Sequence, residues 1–356
     1  MSVIKAHIRA MSAYKPPLDG RNPDTNVLLD FNERTLPVSE KVQRALIDYI
    51  QSGRLQMYPA YGDIVELIAN YAGVGADQLM ITNGSDQGIE LVFRSVCSAG
   101  DKVVIPGPSF AMYSQCAKIE NCSIVSPQYT REQGFPLQEV LDAIEPDVKL
   151  VVVSNPNNPC GTLLARDGVE AILKAASTNG NNAAVLVDEC YFEYTQATVA
   201  DLVAAYPNLI ITRTFSKTWG IPSLRFGYII SCAENINALL NVRGPYDINQ
   251  LAVVAVRAAL ENFSDVSSYI DEVMVRSKPV LEAFLDEQGI EYWPSSTNYI
   301  WTFPVGPEAV ELALRAAGIL VRPKADADGR LGLRISLGTL EQTKKAIEVL
   351  RVATAS

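Results

Sequence analysis

The run KLVVVSNP, residues 149–156, decides the fold. It is almost wholly apolar and β-branched until it breaks into an Asn-Pro turn. A run of that kind fits a strand covered on both faces, which is how the strands of a parallel sheet read. AAVLVDE (183–189) and NLIITRTFS (208–216) repeat the pattern, and RFGYIIS (225–231) continues it. Upstream, QLMIT (78–82), KVVIP (102–106) and CSIVSP (122–127) are shorter candidates. Helical spacing fills the gaps at about 85–96, 110–119 and 137–144. Strands interleaved with helices predict βαβ units, hence an α/β fold with a mostly parallel central sheet flanked by helices.

Outward from that block the texture changes. Residues 1–37 are punctuated by Pro16, Pro17, Gly20, Pro23 and Pro37 and read as irregular. A helix is expected from Ser39, a candidate cap, with Val42, Leu46, Ile47 and Ile50 on one face. Another is expected over 64–71. After about Pro245, helical patterns dominate at 251–260 and 269–288, followed by strands YIWTF (299–303) and RLGLRIS (330–336) and a last helix near 340–352. This predicts a large domain over 38–245 and a smaller α+β domain over 246–356.

Composition removes several function classes. Of the 356 residues, 40 are acidic and 30 basic, for a net charge of -10. A phosphate-backbone partner wants a basic face, so no nucleic-acid partner is expected. The single histidine, His7, lies in the irregular N-terminal stretch and is read as solvated or locally packed. Zinc sites built on two or three histidines are impossible, and no metal site is expected. The six cysteines form no C-x-x-C pair. No export signal and no apolar run of spanning length is seen, so free thiols, a cytoplasmic location and no membrane partner are expected. The chemistry must therefore use Lys, Asp, Tyr, Arg or a bound cofactor.

Four local signals carry that chemistry. Ser216-Lys217 follows a buried strand, with Arg225 eight residues on. In open α/β sheets ligands bind at the carboxyl ends of strands. A lysine there can be a Schiff-base nucleophile, and a hydroxyl with an arginine suits a phosphate. Asp188 closes AAVLVDE and is either a structural acid or one facing a ligand, such as a protonated ring nitrogen; Tyr191 lies three residues on. NPNNPCG (155–161) is a tight turn at another strand end. Gly84-Ser85-Asp86 opens a helix, where free N–H groups bind phosphate or where Ser85 or Asp86 simply caps the helix.

Taken together, NER (32–34), YP (58–59), NGSDQGIEL (83–91), PGPSFAMY (106–113), NPNNPCG (155–161), VDECY (187–191), RTFSKTWGIPSLRFGY (213–228), SSTNYIW (295–301), LVRP (320–323) and LRIS (333–336) resemble the pyridoxal-phosphate enzymes of the aspartate-aminotransferase fold, and within them the histidinol-phosphate aminotransferase branch. The resemblance covers essentially the whole chain. It implies that residues 1–37 form an N-terminal arm and part of the small domain. It implies pyridoxal 5'-phosphate as cofactor, linked through Lys217, which would then carry the proton. Asp188 would pair with the ring nitrogen, keeping the ring an electron sink. Tyr191 and Asn158 would bond the ring's phenolic oxygen, and Phe110 would stack on the ring. Ser85, Asp86, Ser216 and Arg225 would surround the phosphate. Tyr58 would reach the cofactor of a second subunit, implying a homodimer. Arg334 would clamp the substrate carboxylate, with Arg322, Tyr14 and Asn32 also on the substrate side.

The departures from the family pattern leave the implied cofactor chemistry in place and bear on the identity of the substrate. Cys160 replaces the usual threonine of the turn, Phe110 the more usual tyrosine, and Pro222-Ser223 the common Ala-Gly, while NERTLP lacks the asparagine and proline of NENP. The implied reaction is a ping-pong transamination of an amino acid or L-histidinol phosphate, with 2-oxoglutarate as acceptor. An aromatic amino-acid aminotransferase would draw on Phe110, Tyr14, Tyr299 and Trp301. A decarboxylase of a phosphorylated amino acid would keep the fold and change the bond broken. A regulatory protein of this fold would need a DNA-binding module, which the expected N-terminal arm and the acidic charge oppose.

Overall fold

The computed structural model describes residues 2–13, 15–178 and 180–355. Its centre is a seven-stranded sheet built from β2 (Leu79–Thr82), β3 (Lys102–Val104), β4 (Ser123–Val125), β5 (Val148–Ser154), β6 (Ala184–Asp188), β7 (Leu209–Thr214) and β8 (Gly227–Ser231). The strand order is β2-β8-β7-β6-β5-β3-β4. All neighbours run parallel except β8, which is antiparallel to both β2 and β7. The sheet is therefore mostly parallel, as the apolar runs predict, with RFGYIIS as the reversed strand.

Alternation along the strands explains why those runs lack polar residues. Val151, Val153, Val185, Val187, Leu209 and Ile211 enter one buried cluster. Leu150, Val152, Leu186 and Ile210 enter another on the opposite face. Side chains alternate across a strand, so a sheet covered on both faces needs apolar residues at every position. Each such side chain contributes about 1.5–3 kcal/mol on burial.

A second, antiparallel sheet has the order β12-β13-β10-β9, with β9 Glu291–Trp293, β10 Tyr299–Phe303, β12 Arg322–Ala325 and β13 Leu331–Ser336. One face packs Ile300, Leu333 and Ile335 against Leu281, Phe284, Val310 and Leu350 of the C-terminal helices. The N-terminal segment joins this part of the molecule: β1 (Val27–Leu28) pairs in parallel with β11 (Ile319–Leu320). The helix Gln250–Leu260, just beyond the division expected at 245, packs with Val42, Ile64 and Ile68 in the large sheet's cluster.

Two helix expectations change in detail. Ser39 precedes the helix Glu40–Gln51, but its side chain makes no capping bond. The stretch 269–288 is broken by a π-helical segment, Asp271–Ser277, before Lys278–Glu287. Pro279 supplies no N–H to the turn before it and crowds the carbonyl four residues back, which a wider turn relieves. His7 lies on a short helix, Ala6–Ala10, with Nε2 3.1 Å from the Ile119 carbonyl oxygen. All six cysteines are free. No helix among the described residues is long and apolar enough to cross a membrane.

Below the strand ends lies a buried ion pair. Arg213 donates from Nε to Glu189 Oε2 at 2.9 Å and stacks over Phe192 at 3.7 Å. Both side chains are almost fully buried, 1% and 2% exposed. Removing one member strands the other charge. Arg213→Met should therefore lower stability by about 3–5 kcal/mol, read from urea unfolding, and Glu189→Leu added to it should restore part of the loss. An Arg213→Met protein as stable as the parent would contradict this.

Candidate active site

The cavity that gathers the chemistry opens at the carboxyl edge of the large sheet. β6 and β7 are neighbours, so the residues that end them, Asp188 and the Ser216-Lys217 pair, line it together. The chain leaves β3 for the edge strand β4 and returns as β5 on the other side of β3. A crevice forms where the order reverses. Phe110 after β3 and Asn158 after β5 enter the cavity there.

Asp188 sits at its base. Its Oδ2 accepts from the Tyr113 hydroxyl at 2.5 Å, and its Oδ1 accepts from the Cys190 backbone N–H at 3.2 Å. Burial pushes its carboxyl up, opposed by the bonds from Cys190 and Tyr113. Lys217 donates from Nζ to the Phe31 carbonyl oxygen at 3.0 Å. Burial, and then the Arg334 charge, push its amine down. Neither group joins an ion pair among the described residues. In a dry site an unpaired charge is costly, so both groups are driven toward their neutral forms.

The helix Gly84–Val96 begins at the cavity rim, with Asn83 rather than Ser85 or Asp86 at its cap position. The capping reading of those two residues is thus not what the fold uses. Ser85 Oγ accepts from Cys190 Sγ at 3.2 Å. Asp86 Oδ2 accepts from Arg225 Nη2 at 2.8 Å, and Arg225 Nη1 reaches Ser216 Oγ at 3.4 Å. That ion pair is about 40% exposed and adds little stability. Gly84 has φ +70, and a Cβ there would fall 2.3 Å from Arg225 Nη2. Only glycine lets the guanidinium lie against the helix start.

The second sheet closes the opposite side. Arg334, on β13, donates from Nη1 to Asn158 Oδ1 at 2.5 Å and from Nη2 to the Asp30 carbonyl oxygen, and its Nε is buried without a partner. Tyr191 is buried, with its hydroxyl accepting from Asn32 Nδ2 at 2.9 Å. Burial pushes its phenol up to about 12. Asn32, expected on the substrate side, donates from Nδ2 to Tyr191 and accepts at Oδ1 from Ser336 Oγ, so in this structure it orients Tyr191.

Phe110, Asn158, Ser216 and Arg225 thus meet Ser85, Asp86, Asp188, Tyr191 and Lys217 in one cavity. Arg334 borders it through Asn158, and Arg322 lies over the Phe31 ring at 5.6 Å. Tyr58 is outside it, 77% exposed and stacked on Tyr246 at 4.5 Å. Tyr14 lies outside the described residues. Sequence reading missed Tyr113, Cys190, Ser154 and Thr214, which also line the cavity. Tyr113 had a usable signal: it follows Phe110 by three residues, one helical turn, on the helix Ala111–Ile119.

The sequence profile described as Aminotransferase class I and II matches residues 24–350. A histidinol-phosphate aminotransferase of Thermoanaerobacter sp. (strain X514) is 32% identical over 91% of this chain and 92% of its own length. Another, of Brevibacillus brevis, is 34% identical over 91% of this chain and 89% of its own. The crystal structure of histidinol-phosphate aminotransferase from Sinorhizobium meliloti in complex with pyridoxal-5'-phosphate has TM-score 0.88 and 21% identity, covering 100% of this chain and 98% of that one. That last likeness is one of fold. Profile, relatives and fold agree over nearly the whole length, and the chain belongs to the class I and II aminotransferase family.

Proposed function

We propose that this protein is a pyridoxal 5'-phosphate-dependent aminotransferase that takes the amino group of L-histidinol phosphate and passes it to 2-oxoglutarate. The observation that carries the reading is the pair of buried, uncompensated groups in one cavity, the Lys217 amine and the Asp188 carboxyl. The residues fit the cofactor. Asp188 is a buried acid with no cation, suited to a ring N–H. Arg225, Ser216 and the glycine-floored helix start suit its phosphate. Phe110 suits a ring face, and Tyr191 with Asn158 suits a ring oxygen. When bound, pyridoxal phosphate supplies an aldehyde that captures amines and a ring that draws off electrons.

The chain's own residues do the rest. Lys217 Nζ takes the proton from the donor's α-carbon and later returns one, a role that its lowered pKa favours. Asp188 holds its partner proton, fixed in place by Tyr113 and the Cys190 amide. Arg334 presents a buried guanidinium with Nε free to an anionic substrate group. The donor assignment rests on the relatives' activity and on Arg322, which makes no ion pair among the described residues and so is free for a phosphate. The aromatic reading loses two of its residues: Tyr299 and Trp301 are fully buried, and the Tyr299 hydroxyl is spent on the Asn157 carbonyl oxygen. Tyr58, with Leu55 and Met57 also exposed beside it in sequence, is assigned to a homodimer interface, where it would reach the second subunit's cofactor phosphate.

Two tests follow from these roles. With 2-oxoglutarate as acceptor, L-histidinol phosphate should turn over at least tenfold better in kcat/KM than phenylalanine or tyrosine, followed by the cofactor's absorbance. An inert histidinol phosphate beside an active phenylalanine would sink the donor, and carbon dioxide as product would sink the reaction. In cofactor-free protein, acetylation of Lys217 should show a pH midpoint below the ordinary 10.5, because burial and Arg334 favour the neutral amine. Arg334→Met should raise that midpoint; a midpoint at or above 10.5 in the parent would remove the argument for Lys217 as base.

A further inference from the structure

On the second sheet, Arg322 pairs with Arg334 and Lys324 pairs with Gly332 across the antiparallel β12-β13 ladder. Ladder partners share a face, and so do residues two apart on one strand. Arg322, Lys324 and Arg334 therefore stand on one face, the face from which Arg334 reaches Asn158 at the cavity. Trp301, the β10 partner of Arg334, shares it. Two donors on this face are buried without an acceptor: Arg334 Nε and Trp301 Nε1. Arg334 is only 4% exposed. Lys324 and Arg322 enter no ion pair among the described residues.

The nearby carboxylates answer these charges only in part: Asp30 acts on Arg334 but makes no ion pair with it among the described residues. Asp30 and Glu33 both face Arg21, which donates to each. Asp19 and Glu311 line a cavity with Arg322 and Arg315, and Glu311 is taken by Arg315. The cations Arg21, Arg315, Arg322, Lys324 and Arg334 still outnumber the acids Asp19, Asp30, Glu33 and Glu311, so the face keeps a net positive charge of the kind that draws a phosphate monoester. We propose that Lys324 is a specificity-determining residue, supplying with Arg322 and Arg334 the third cation of a subsite that selects a donor carrying a phosphate monoester. Burial, then Arg334 and Arg322, push the Lys324 amine down to about 8, as expected where like charges share a poorly hydrated place. A dianion there would relieve the repulsion. The compact ammonium complements two planar guanidiniums, which offer forks rather than a point charge. Nothing in the family resemblance assigned this residue a role, and the inference rests on the proposed transamination.

The test uses the cofactor-loaded enzyme, whose own phosphate cup is filled, and inorganic phosphate as the probe. Calorimetric titration should give a phosphate Kd about tenfold weaker in Lys324→Met, and within about threefold of the parent in Lys324→Arg, which keeps the charge. For L-histidinol phosphate, Lys324→Met should raise KM more than it lowers kcat. The cofactor's absorbance spectrum reports whether each variant is folded and loaded; if Lys324→Met fails that check, Lys324→Gln replaces it. Phosphate binding unchanged in the folded charge-removing variant overturns the subsite, even where turnover of histidinol phosphate continues and the proposed function stands. Conversely, phosphate binding that depends on Lys324 in an enzyme inert toward histidinol phosphate supports the subsite and overturns the donor assignment.

Discussion

An amine and a carboxyl buried in one cavity, and kept from neutralising each other, is the constraint around which this molecule is organised. Two groups of opposite charge in a dry space would ordinarily collapse into an ion pair. Here Asp188 is held by Tyr113 and a backbone N–H, and Lys217 by the Phe31 carbonyl oxygen. Each is therefore satisfied by a neutral group and retains its reactivity. The cost of burying them is borne by the sheet, whose apolar strands fix β6 and β7 side by side and leave their ends no freedom to relax.

The second sheet completes that arrangement from across the crevice. Its site-facing side carries Arg334, Tyr299 and Trp301, while Ile300, Leu333 and Ile335 on its other side pack against the C-terminal helices. The N-terminal segment is the bridge between the two. It pairs with β11, lends the Phe31 carbonyl to Lys217, the Asp30 carbonyl to Arg334 and the Asn32 amide to Tyr191. Three consecutive residues thus touch three groups from distant parts of the chain, which explains why Asn32 adopts a positive φ of 57 to serve them.

Charge is sorted by place. The base of the cavity carries an acid, its rim an arginine paired with Asp86, and the second sheet beyond Asn158 carries Arg322, Lys324 and Arg334 on one face. A chain with an overall charge of -10 has gathered positive charge on one small face. Such sorting reads as selection for an anionic ligand, because field from a few desolvated charges is far less screened than that of the acidic surface.

Local pattern alone settled the parallel core, since strands buried on both faces must be apolar at every position and 149–154, 184–188 and 209–214 are nearly so. It also marked Asp188 and Lys217, because polar residues that end such strands have no packing reason to be there. Tertiary contact decided the rest. Ser85 sits inside a helix that begins at Gly84, since Arg225 occupies the space a side chain would take. Tyr113 meets Asp188 across 75 positions, and Asn32 meets Tyr191 across 159. Whether a charge such as Lys324 has a counter-ion depends on what the whole fold brings near it, and no stretch of neighbouring residues carries that information.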